Sequence, residues 1–144
     1  MKILIINGPN MDRLGEREPD IYGVIDWKSI EERIKLEFPT IDFVFYQSNS
    51  EEQIIDSFAF ANNNFDGIVL NPGAFSHYSV AIRDAIELLK IPIIEVHLSN
   101  ISSREDFRKS LITASKTNGY ISGFQETSYL GAVYILTKIM KEVD

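Results

Sequence analysis

The chain contains no cysteine. That excludes a disulfide framework, a thiolate nucleophile and any cysteine-ligated zinc or iron–sulfur centre, and it fits a cytoplasmic setting. Basic residues are also in short supply: 14 Lys and Arg stand against 21 Asp and Glu, a formal net charge of −7. Nucleic acids and anionic membrane surfaces need a basic face to neutralise them, so neither is expected as a partner. An anionic small molecule would have to be met by locally placed Arg or His. Long apolar runs are missing as well. The N-terminal run at residues 3–6 stops at Asn7 and Gly8, too short for the core of a signal peptide. No stretch approaches the roughly twenty apolar residues that cross a bilayer.

What is present suffices for one core. At 144 residues and 44% apolar, the chain reads as a single domain over 1–144, with no internal repeat, low-complexity tract or linker. Short runs of branched and aromatic residues at 3–6, 43–46, 68–70, 93–96 and 120–124 read as strands. Between them apolar residues recur at helical spacing: Trp27, Ile30 and Ile34; Ile54, Ile55 and Phe58; Ala81, Ile82, Ala85 and Leu88; Phe107, Leu111 and Ala114. A last helix is predicted over about 129–140. Ser50 followed by Gln53, and Ser102 followed by Glu105, have capping-box spacing. Alternating strands and helices predict a parallel sheet covered on both faces, a three-layer sandwich of flavodoxin-like strand order.

In such sheets ligands bind beyond the carboxyl ends of the strands. Asn7 to Asn10, Gln47 to Asn49, Asn71 to Gly73 with His77, and Glu95 to Asn100 all fall there, and with them both histidines of the chain, His77 and His97. Each also has a plainer reading. Asn71 before Pro72 suits an Asx turn; His97 suits an inward, hydrogen-bonded histidine; Arg104 and Arg108, four apart, suit a solvated helical face with Glu105 and Asp106; Tyr22 suits an amphipathic surface residue. The segment INGPNMDRLGEREPDIYG, running on from the first strand to Gly23, is polar, offers little to a core, and has the length of a functional lid. No G-x-G-x-x-G or P-loop follows the first strand, so the usual dinucleotide and triphosphate cradles are missing. Asparagines stand at Asn7 and Asn71, where a phospho-receiver would carry carboxylates. These residues suit metal-free acid–base chemistry by His, Tyr, Arg and Asn. Two rival readings remain: a module that binds FMN or a polar metabolite without turnover, and a receiver-like or purely structural oligomer whose strand ends are turn chemistry.

INGPNMDRLGEREPDIYG, QSNSEEQIID, DGIVLNPGAFSHYSVAIRDA, IIEVHLSNISSREDFR and GYISGF together resemble the type II 3-dehydroquinate dehydratases, in order and spacing and over almost the whole chain. The resemblance implies a flavodoxin-like fold, no cofactor, a homododecamer built from trimers, and anti elimination of water from 3-dehydroquinate through an enol or enolate. It implies Tyr22 as the base at C2 and His97 as the acid that protonates the departing hydroxyl. Arg17 would sit beside the base, Asn10 would hold a water at the developing enolate oxygen, and Glu95 would orient His97. Asn71, His77, Leu98, Ser99 and Arg108 would bind the substrate's hydroxyls and carboxylate, and Asp84 would enter from a neighbouring subunit. The arm at about 10–25 would be a lid.

Chemistry permits these roles on stated conditions. A phenol ordinarily ionises near pH 10, so a tyrosinate base at neutral pH needs about 4 kcal/mol of preferential stabilisation, part of which a guanidinium such as Arg17 can supply once water is shut out. Glu95 and His97 share a face of a straight strand, two residues apart. Four residues depart from the family pattern: Glu52, Gln125 and Ser128 stand where glycine is expected, and Ser102 where histidine is common.

Overall fold

The computed structural model describes residues 1–22 and 25–143, without the side chains of Tyr22, Glu142 and Val143. Five strands, β1 (Lys2–Asn7), β2 (Asp42–Gln47), β3 (Gly67–Asn71), β4 (Ile93–His97) and β5 (Gly119–Ser122), form one parallel sheet in the order β2-β1-β3-β4-β5. This is the flavodoxin-like order, with the reversal of strand order between β1 and β3. The strands run in register so that Asn7 lies beside Gln47 on one side and Asn71 on the other, while His97 lies beside Ser122. The polar strand ends therefore make one edge.

The three central strands are buried on both faces, which is why they read as unbroken apolar runs. Alternate residues serve opposite layers. Ile3, Ile5, Val69, Ile94 and Val96 pack with Ile30 and Ile34 of α2 (Trp27–Glu37) and Tyr129, Val133 and Leu136 of α5 (Thr127–Val143). Leu4, Ile6, Ile68, Leu70 and Ile93 pack with Ile54 and Phe58 of α3 (Glu51–Asn64) and Ile82 and Ile86 of α4 (Val80–Glu87). Each fully buried isoleucine contributes roughly 1.5–3 kcal/mol. Among the described residues no helix is long and apolar enough to cross a membrane.

Helix starts follow side-chain caps. Asp26 accepts from the Ser29 N–H, Ser50 from Gln53 and Ser79 from Ile82. The Ser50 cap is the expected one, with a variation: the Gln53 amide takes the Ser48 hydroxyl at 2.5 Å, and Ser48 Oγ in turn accepts the Ser50 N–H. The second expected capping box does not form. Asn100 caps a short 3-10 turn (Ile101–Ser103), accepting from the Ser102 N–H, and Glu105 pairs with Arg108 instead.

The predicted helix through Phe107, Leu111 and Ala114 is also absent. Two 3-10 turns, Asp106–Lys109 and Ala114–Lys116, carry the chain from β4 to β5. The backbone N–H groups of Ile112 and Thr113 donate to the Ser76 carbonyl at 2.9 and 3.4 Å, a partner outside the segment, so the local ladder that a helix needs is not built. Ser76 belongs to the 3-10 turn Gly73–His77 after β3, and this crossover is thus sewn to the strand-end edge. The arm after β1 differs from expectation too. It contains a 3-10 turn (Met11–Arg13) and a four-residue helix α1 (Pro19–Tyr22), and it does feed the core: Met11 and Leu14 are buried in it and Ile21 packs against the same cluster.

The β1 and β3 ends meet so closely that only glycine fits. Gly8 donates to the Asn71 carbonyl at 2.7 Å, and a methyl group on Gly8 would lie 2.6 Å from the Pro72 carbonyl oxygen. Gly8→Ala is expected to lower stability by about 1–3 kcal/mol, read as a lower urea midpoint at unchanged slope. An unchanged midpoint would show that this contact yields freely.

Candidate active site

A cavity of about 140 Å³ opens at the strand-end edge, below the roughly 300–1,000 Å³ of pockets for drug-sized ligands and suited to a small metabolite. Asn71, His77, His97, Leu98 and Ser99 reach it from the ends of β3 and β4. Asn10 and Arg17 reach it from the arm, and Arg104 and Arg108 from the β4–β5 crossover. A chain that is acidic overall thus gathers three guanidinium groups and both of its histidines around one small polar space.

The centre of the arrangement is a buried pair. Glu95 is wholly buried and His97 is 4% exposed; the imidazole Nε2 lies 2.8 Å from the Glu95 carboxylate. The other carboxylate oxygen accepts a short hydrogen bond from the buried Thr113 hydroxyl. A carboxylate is an acceptor, so Nε2 carries a proton and Nδ1 is the nitrogen on the far side of the ring from Glu95. The expectation of an oriented His97 therefore has a geometric basis, and the satisfied-histidine reading describes the same contact.

A second buried network sets the β1 and β3 ends. Asn71 Nδ2 donates to the Tyr129 hydroxyl at 3.0 Å, and that hydroxyl donates to Asn7 Oδ1 at 2.7 Å. Burial pushes Tyr129 well above the usual phenol range, with the Asn71 contact opposing, so it stays a neutral donor. Asn71 Oδ1 accepts from the Gly73 N–H at 3.1 Å. The Asx turn is thus real, and Asn71 lines the cavity as well.

His77 Nδ1 donates to the Ser110 carbonyl at 2.9 Å, and its ring lies over that of His97 with centroids 6.5 Å apart. Asn10 takes a left-handed conformation, φ 68°, and its N–H donates to Asn49 Oδ1 at 3.1 Å. Asparagine tolerates that backbone better than most residues. Arg108 pairs with Glu105 at 2.8 Å and lies over the Phe107 ring at 5.0 Å. The Arg104 side chain is only 13% exposed and reaches Ser99 Oγ at 3.4 Å, so it belongs to the site rather than to a solvated helical face.

One expected member stands apart from this cavity, and the side chain of another is outside the described residues. Asp84 lies on α4, 61% exposed and paired with Arg83, and does not line it. Tyr22 ends α1, and its side chain lies outside the described residues. The lid expectation for about 10–25 likewise includes Gly23 and Val24, outside the described residues. Sequence reasoning missed Thr113, Tyr129 and the part played by Arg104. Nothing local marks the first two, since their partners lie 18 and 58 residues away. Of the departures, Glu52 is exposed on α3, Ser102 is exposed, and Ser128 is buried with its hydroxyl accepting from the Phe124 N–H at 3.2 Å.

Comparison with known proteins gives a consistent result. The family model described as dehydroquinase class II matches residues 1–137. A 3-dehydroquinate dehydratase of Clostridium botulinum (strain Hall) is 48% identical over 143 residues, 97% of each chain. One of Thermoanaerobacter pseudethanolicus is 48% identical over 134 residues, 92% of this chain and 90% of the other. The crystal structure of a type II dehydroquinase from Butyrivibrio crossotus superposes with a TM-score of 0.92 at 45% identity, covering 95% of this chain and 97% of that one.

The surroundings of His77 generate a pH prediction. Desolvation holds its ring below the ordinary value of 6.5; the Ser110 carbonyl opposes this, and Arg108 and His97 add to it. The unfolded chain therefore binds more protons just below pH 6.5, so this contribution to stability is full above 6.5 and is lost as pH falls through the folded midpoint. An NMR titration of the His77 ring, assigned with His77→Asn, is expected to give a midpoint below 6.5. A midpoint at or above 6.5 would contradict the burial argument.

Proposed function

The chain belongs to the class II dehydroquinase family, and on that premise we propose that the strand-end cavity is where it removes water from 3-dehydroquinate to give 3-dehydroshikimate, in the shikimate pathway. The observation that carries the assignment to this cavity is the buried Glu95–His97 pair opening on a space lined by Arg17, Arg104 and Arg108. An acid held in one orientation beside an anion-binding wall suits elimination from a hydroxylated carboxylate.

In this reading the Tyr22 phenolate takes the C2 proton, and the electron pair moves onto the adjacent carbonyl as an enolate. Arg17 favours the phenolate by its fixed charge, and a water held by Asn10 donates to the enolate oxygen. The enolate then collapses, the C1–oxygen bond breaks, and His97, as the imidazolium, gives up its Nδ1 proton so that the oxygen leaves as water. Glu95 holds the Nε2 proton and fixes the ring, so that Nδ1 is the nitrogen that gives up its proton, and Thr113 keeps Glu95 in place. Arg108 grips the substrate carboxylate with a planar fork, helped by the Leu98 N–H and the Ser99 hydroxyl, while Asn71 and His77 meet its hydroxyls. No cofactor takes part.

Residues 1–144 act in this reading as one catalytic domain working in the cytoplasm, with the arm at about 10–25 as its lid. The assembly is a homododecamer built from trimers. Exposed Phe60, Tyr78, Val80, Leu88 and Phe124 offer the apolar surface that subunit contacts need, and Asp84, exposed and outside the lining of its own cavity, serves a neighbour's.

Mixing purified protein with 3-dehydroquinate is expected to raise the ultraviolet absorbance of the conjugated enone, and no change across a range of pH would overturn the assignment. Tyr22→Phe is expected to lower kcat by about 10²–10⁴-fold while substrate still raises the thermal midpoint; substantial residual turnover would exclude the tyrosinate base. Sedimentation is expected to give a dodecamer, and a monomer would contradict the assembly.

A further inference from the structure

Gln125 has a backbone φ of 50°, in the left-handed region that glycine enters freely and a longer residue enters only under strain. A glutamine in such a place invites the question of what its side chain does. Its backbone N–H donates to the Leu98 carbonyl at 3.0 Å, and its Nε2 donates to the Ile21 carbonyl at 3.1 Å, across 104 residues of sequence. Leu98 follows His97, and Ile21 precedes Tyr22. One residue therefore joins the strand end that bears the proposed acid to the arm that bears the proposed base.

The carboxamide oxygen of Gln125 is buried and has no hydrogen-bond partner among the described residues. That desolvated acceptor is a cost added to the backbone strain, and the bond from Nε2 to Ile21 is the contact set against both. The base on which it stands is firm. Glu126 is tied to Arg33 of α2 at 2.7 Å, and the buried Ser128 hydroxyl accepts from the Phe124 N–H. Gln125 does not line the catalytic cavity. It faces a separate pocket beneath the arm, shared with Asp20, Ile21, Ser99, Asn100 and Arg104.

We propose that Gln125 is a latch, a positioning residue that fastens the end of the arm to the β4 end and so sets how often Tyr22 is delivered to the site. The proposal rests on the reading of Tyr22 as the base. It touches no substrate, so its loss acts on the population of the closed arm rather than on binding contacts in the cavity.

Two variants of the full chain test it. Gln125→Gly removes both the strain and the side chain; Gln125→Glu keeps the size but replaces the donor to Ile21 with an acceptor. Gln125→Gly is expected to unfold at a temperature no lower than the parent's. In both variants the arm amides at 16–18 and 20–22 are expected to exchange hydrogen roughly fivefold to tenfold faster, and kcat to fall by a similar factor with KM within about twofold. Exchange rates and kcat within about twofold of the parent's in both variants would overturn the latch and leave Gln125 as a turn residue. Exchange is read without substrate, so a parent inactive on 3-dehydroquinate would count against the proposed function, while the exchange result alone would still decide for or against the latch.

Discussion

A carboxylate with no solvent exposure must be paired or it will not stay charged, and the Glu95–His97 contact is the constraint around which the strand-end edge is organised. Removing such a group from water costs several kcal/mol unless further hydrogen bonds compensate. The second oxygen of Glu95 finds its partner in Thr113, which the β4–β5 crossover has to deliver to the right place. That explains why the crossover is not a helix. It spends its N–H groups on Ser76, passes the Ser110 carbonyl to His77, and swings Arg104 and Arg108 toward the cavity.

The other half of the edge rests on Tyr129. Its hydroxyl stands between Asn7 and Asn71, so α5 fastens the ends of β1 and β3 at the point where strand order reverses. Gly8 brings the two backbones into contact just beyond. Local charge then departs from the net charge of −7: the cavity wall carries guanidinium groups, while Glu95 lies behind His97. A small anion meets a cationic wall at short range even though the molecule as a whole repels it, which favours a compact ligand over an extended polyanion.

How much of this was legible in the sequence varied with the physical origin of each feature. The central strands were readable because burial on both faces leaves nothing but branched apolar residues, and topology then brought His77 and His97 to one edge. The helix through Phe107, Leu111 and Ala114 was misread because its spacing is helical while its hydrogen bonds go to Ser76, a partner that no local window contains. Phe107 is in fact exposed. The expectation that the arm offers little to a core fails at Met11 and Leu14, which enter it. Thr113 and Tyr129 gave no signal, being ordinary residues made functional by distant partners. The roles proposed for Tyr22, Arg17 and Asp84 come from family likeness; composition and periodicity did not supply them.

The central claim is that the charge of Glu95, and not merely its shape, makes His97 an effective acid. Glu95→Gln keeps the length and the planarity and removes the charge; its one carboxamide oxygen can still accept from His97 Nε2 while its NH2 group turns to the Thr113 hydroxyl oxygen. Its kcat on 3-dehydroquinate is the direct measurement. A fall on the order of 10²–10⁴-fold, in a variant as stable as the parent or more so, is the expected result; a rate within about threefold of the parent's would contradict the claim.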